Sequence, residues 1–103
     1  MTSATGNPQL QSRIKLIKAL LDADWTQVES LAAVLNRDYP TQYHDYWYRG
    51  LALHKLGRDK EAIGPLTTYT QYAKEELEFP DAVEILQSIS HKTKHSTPPA
   101  VVH

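Results

Sequence analysis

The chain has no cysteine and only four glycines among its 103 residues, and each shortage closes off a class of chemistry. Without cysteine there is no disulfide, no thiolate nucleophile and no Cys-ligated zinc. The scattered glycines form no phosphate-cradling loop, and neither a nucleophile elbow nor a paired-carboxylate site is visible. An excess of charge is also missing: 11 Lys plus Arg stand against 12 Asp plus Glu, a net of −1, which gives no broad attraction to nucleic acid or an anionic membrane. No stretch reaches the roughly 20 apolar residues of a membrane span, and the first residues lack the basic flank and apolar run of a signal peptide. A cytoplasmic protein that touches neither membrane nor nucleic acid is expected. What remains is 41% apolar and 22% charged, an ordinary globular balance in a length that holds one domain.

Helical periodicity dominates that domain. Residues 1–7 read as a loose leader, and Asn7-Pro8 supplies a cap and a first-turn proline. Leu10, Ile14, Ile17 and Leu21 then recur at steps of four, three and four. Leu16 and Leu20 widen the stripe, so this helix is expected to be covered on more than one side. Asp24 and Gln27 resemble a capping box for a second helix with Val28, Leu31, Ala32 and Leu35 on one face, closed by Pro40. A third helix is expected from about Thr41 to Leu56, with Gly57 as its left-handed cap. Gly50, costly inside a helix, implies close approach of a neighbouring backbone. Gly64-Pro65 predicts a kink or short break in the fourth helix, which carries Ala62, Ile63, Leu66, Tyr69 and Ala73. Pro80 opens a fifth helix ending near Ser90, with Ala82, Val83, Leu86 and Ile89 inward as a lid. Residues 91–103 lack periodicity and read as a flexible tail.

An echo runs through this pattern at a period of 34: the stretch from Leu20 to Val28 returns as His54 to Ala62. On those residues, and on Leu56-Gly57-Arg58-Asp59-Lys60-Glu61-Ala62-Ile63 in particular, the chain resembles the tetratricopeptide repeat family. Tyr46 stands at the family's large aromatic position and Gly50 at its small one. The resemblance implies an all-α, right-handed stack of antiparallel helix hairpins filling residues 8–90, with repeats at 9–42 and 43–76 and a capping helix at 80–90. It implies a concave groove lined by Arg13, Ile17, Leu20 and Leu21 from the first helix and by His44, Trp47, Leu51, His54 and Lys55 from the third. Ile17 and Tyr48 replace the asparagines of the carboxylate-clamp subclass, so that subclass is not implied.

Three consecutive aromatics, Tyr46, Trp47 and Tyr48, cannot share one helix face. Either one of them points outward, for which Trp47 is the choice, or all three are used in packing between adjacent helices. With Trp47 in the groove, an apolar patch beside Ile17 and Leu20 and rimmed by Arg13 and Lys55 would suit an acidic and apolar peptide or helix of another protein. His91 and His95 share the spacing of a metal pair but lack a third ligand, and His44 and His54 lie about 80° apart around their helix, so no metal or cofactor is expected. The acidic run Glu75, Glu76, Glu78, Asp81 and Glu84 reads as a solvated helix end. The sequence therefore points to a non-catalytic interaction module, an adaptor or chaperone. The alternative is an assembly subunit, a homodimer or part of a larger complex, built on its helical faces.

Overall fold

The computed structural model describes residues 8–96, with side chains placed through His91. Five helices follow one another: α1 (Pro8–Leu21), α2 (Trp25–Asp38), α3 (His44–Lys55), α4 (Asp59–Tyr72) and α5 (Phe79–Ser96). No strand occurs among the described residues. Each helix packs on the next, and α3 also touches α5, so the chain is an all-α stack of helix hairpins with α3 at its centre.

The 34-residue echo marks two copies of one turn. After α1 the Ala23 amide donates to Leu20 O (3.1 Å) and the Asp24 amide to Ala19 O (2.9 Å). After α3 the Gly57 amide donates to His54 O (3.0 Å) and the Arg58 amide to Leu53 O (2.8 Å). Both sets satisfy carbonyls that a helix end leaves open, and both need a left-handed residue between the helices. Gly57 takes φ 80° without steric cost, whereas Ala23 takes φ 54° against its own Cβ. Asp24 then caps α2 as expected, its carboxylate accepting from the Gln27 amide at 3.3 Å.

Two apolar clusters fill the stack. One joins α1, α2 and α3 through Leu16, Ala19, Val28, Leu35 and Ala52. The other joins α3, α4 and α5 through Trp47, Leu53, Ala62, Leu66, Tyr69, Ala82 and Ile89, and Tyr48 packs against both. Each fully buried leucine contributes about 1.5–3 kcal/mol, so these clusters hold the hairpins together. Gly50 serves this packing: a methyl group added there would overlap Leu66 Cγ and Cδ2. The neighbour that requires glycine is thus a buried side chain and not the backbone expected from sequence.

Two boundaries differ from the sequence reading. The short break offered as one outcome of Gly64-Pro65 is absent: α4 is one continuous helix in which Pro65 and Leu66 are buried, and that packing offsets the roughly 3 kcal/mol that a helical proline costs. α5 continues past Ser90 to Ser96, since no glycine or proline stops it before Pro98. The tail therefore does not begin at 91. The expected leader at 1–7, the tail segment 97–103 and the side chain of His95 lie outside the described residues.

Candidate functional site

The nine residues expected to line one groove separate into different roles. Arg13 is a brace: its Nη1 and Nη2 donate to the two carboxylate oxygens of Asp45 at 2.6 and 2.8 Å, joining α1 to the first turn of α3. Asp45 is 0% exposed, and its hydrogen bond raises the Arg13 guanidinium above its ordinary pKa. Leu20 is half-buried against the α1–α2 cluster, and Leu51 packs against the α3–α4–α5 cluster. His54 Nδ1 lies 2.7 Å from Asp59 Oδ1 across the turn into α4. Lys55 is exposed and sits over the Trp25 ring, 5.9 Å from its centroid.

Trp47 is not in a groove. It is 7% exposed, with its ring centroid 6.0 Å from that of Tyr69. The physical reason is the central place of α3, which has α2 on one side and α4 on the other, so three successive aromatics each find a wall. Tyr46 stacks on Tyr43 and donates its hydroxyl to Pro40 O (3.0 Å), Trp47 meets Tyr69, and Tyr48 reaches both clusters. All three are used in packing between helices. The expected patch of Trp47 beside Ile17 and Leu20 does not form.

An apolar patch exists elsewhere, on the outer face of α1. Leu10, Ile14, Ile17 and Leu21 are 49, 53, 56 and 81% exposed. At 100° per residue this stripe lies about 140° around the helix from Leu16, Ala19 and Leu20, the residues that meet α2. One neighbour covers one face, and α1 packs principally on α2. The expectation that Leu10, Ile14, Ile17 and Leu21 are covered is therefore overturned. Their exposed area is on the order of 400 Å², within the range of patches that mark interaction sites on small proteins. Lys15 and Lys18, both exposed, lie along one side, while Arg13 on the other is paired with Asp45. The border is basic on the lysine side.

A second constellation gathers where the start of α3 meets the turn between α4 and α5. His44 Nδ1 stands 3.0 Å from Glu76 Oε1, and its Nε2 stands 3.7 Å from Glu78 Oε1. The imidazole is edge-on to Tyr48, with centroids 4.8 Å apart at 67°, and to Tyr69, at 6.0 Å and 85°. The Tyr69 side chain is 0% exposed, and its hydroxyl has no hydrogen-bond partner among the described residues. Burial first, then the nearby Glu78 and Glu76, push this phenol up to about 12. The Glu78 backbone pulls slightly the other way without reaching hydrogen-bonding geometry. Burial also raises Tyr48, again with Glu78 close. A buried hydroxyl left without a partner costs about 1–3 kcal/mol. Sequence reading missed this group because its members come from residues 32 and 34 apart, and the acidic pair looked like a solvated helix end.

Among the described residues, no helix is long and apolar enough to cross a membrane. No family model, curated protein or solved structure matches the chain.

Proposed function

We propose that this protein is a non-catalytic interaction module of tetratricopeptide type, an adaptor or chaperone in the cytoplasm, that docks an amphipathic helix of another protein on the outer face of α1. One observation carries the reading: an unbroken stripe of Ile14, Ile17 and Leu21, continued by Leu10, is left in water at the end of a helical stack. Stacks of this architecture normally close their ends with polar faces, because each hairpin buries its apolar surface only against a neighbour. The repeated hairpin turns at Ala23 and Gly57 and the seating of Leu66 over Gly50 support the family reading.

The patch supplies about half of the roughly 800 Å² per partner that a stable complex buries, which favours a reversible, helix-sized ligand. Its basic border selects for acidic flanks on that ligand. A second reading, an assembly subunit whose copies pair through α1, uses the same stripe. It would bring Lys15 and Lys18 against the same residues of the other copy, which is why a foreign acidic helix is preferred.

The test uses a fluorescein-labelled peptide helix with leucines at steps of three and four and glutamates beside them, titrated against the full chain. Binding of micromolar order is expected. Ile17→Asp should weaken it at least about thirty-fold, as loss of a central anchor does, without unfolding the chain. Equal affinity in parent and variant contradicts the reading. A concentration-dependent dimer that Ile17→Asp abolishes supports the assembly subunit instead.

A further inference from the structure

His44, Glu76 and Glu78 can each offer one ligand atom such that all three atoms lie within 4.8 Å of one another. We infer that these three residues form a binding site for a single divalent transition-metal ion of the zinc type, tying the first turn of α3 to the α4–α5 turn. The donor set of one imidazole and two carboxylates, with no thiolate, suits zinc better than the all-oxygen ions calcium and magnesium. Each glutamate supplies one oxygen and His44 one ring nitrogen, which leaves a fourth position of a tetrahedral ion for water. Glu76 is exposed while His44 and Glu78 are half-buried, so an ion can reach the site from the Glu76 side.

The independent observation is Tyr69, whose ring packs 6.0 Å from that of His44 and whose fully buried hydroxyl has no hydrogen-bond partner among the described residues. Metal sites hold their carboxylates and bound waters with a second layer of hydrogen-bond donors. Tyr69 carries such a donor on a ring packed against His44. The imidazole is held as well, with the Tyr48 ring edge-on against one side and the Tyr69 ring against another. Both ring nitrogens face carboxylates, and an ion placed among them supplies positive charge between the two glutamates.

The test is a zinc titration of the full chain after removal of metal by chelator, with a chromophoric chelator as competitor and circular dichroism to confirm folding. One ion per chain is expected, with a dissociation constant of micromolar order. At about 100 μM free zinc the unfolding equilibrium constant should then fall about 10- to 100-fold. His44→Gln and Glu78→Gln, which keep size and remove a ligand, should each weaken binding at least about ten-fold. Tyr69→Phe should weaken it by a similar factor through the lost donor. His91→Gln should bind as the parent does. Equal affinity in the parent, His44→Gln and Glu78→Gln, loss of binding in His91→Gln, or no binding below about 1 mM would each overturn the site.

Discussion

The two ends of the stack are built from the same kind of element and finished in opposite ways. At one end α5 buries Ala82 and Ile89, half-buries Val83, Ile85 and Leu86, and turns Asp81, Glu84, Gln87 and Ser88 to water. At the other, α1 buries Leu16 and Ala19 and turns Leu10, Ile14, Ile17 and Leu21 to water. Both helices have one principal neighbour, α4 for α5 and α2 for α1. The difference therefore lies in sequence: α5 carries one apolar face and α1 carries nearly two. A one-faced helix ends a stack, whereas a two-faced helix continues it. That contrast is the ground for proposing α1 as the docking surface and α5 as the closed end.

The sharpest way to break the comparison is to truncate adjacent residues on opposite faces of α1. Leu16→Ala should cost about 2–5 kcal/mol in urea unfolding, because Leu16 is fully enclosed. Ile17→Ala should change stability by less than about 0.5 kcal/mol. Comparable losses would mean that the stripe is covered in the free protein. Next in size is Arg13→Ala, which strands the buried Asp45 carboxylate. A loss of about 2–4 kcal/mol is expected, somewhat below a fully buried pair because Arg13 itself reaches solvent. Asp45→Asn should cost less, since the guanidinium left behind can hydrate. No loss in either variant would show that α1 is held by α2 alone.

At the α5 end the sensitive group is Tyr69. Its phenol is raised to about 12 in the folded chain against an ordinary 10. The unfolded chain therefore releases this proton first, so the stability it gives is whole below pH 10 and is lost as pH climbs toward 12. The slope is about 1.4 kcal/mol per pH unit for one proton. Alkaline denaturation should show that loss, and Tyr69→Phe should remove its share. The smallest effect compares the two turns. Ala23→Gly should stabilise the chain by about 0.5–1 kcal/mol, as glycine relieves the left-handed strain and returns part of it as unfolded-state entropy. A melting temperature that falls in this variant would mean that the two turns are not equivalent.

What could be read from sequence was what is local. Asp24 as a cap, Gly57 as a left-handed stop and the inward faces through Val28, Leu35, Ala62, Leu66 and Ala82 depend on spacing within a turn or two, and they stand where the spacing put them. The missing parts depend on neighbours. Periodicity found the stripe from Leu10 to Leu21 but could not say which of two stripes on α1 meets α2. Trp47 was misplaced for the same reason, because three successive aromatics are all covered only when a helix has walls on several sides. Arg13 with Asp45, and His44 with Glu76, are pairs 32 residues apart, joined by the stacking of hairpins and not by any pattern along the chain.

The central claim, that the outer face of α1 is where a partner helix docks, is tested most directly by methyl NMR. The full chain, labelled at isoleucine and leucine methyls, would be titrated with the acidic amphipathic peptide. The account predicts progressive shifts at Leu10, Ile14, Ile17 and Leu21, with Leu53, Leu66 and Ile89 unmoved. Shifts centred on α3, or on α5, with the α1 methyls silent, would contradict it.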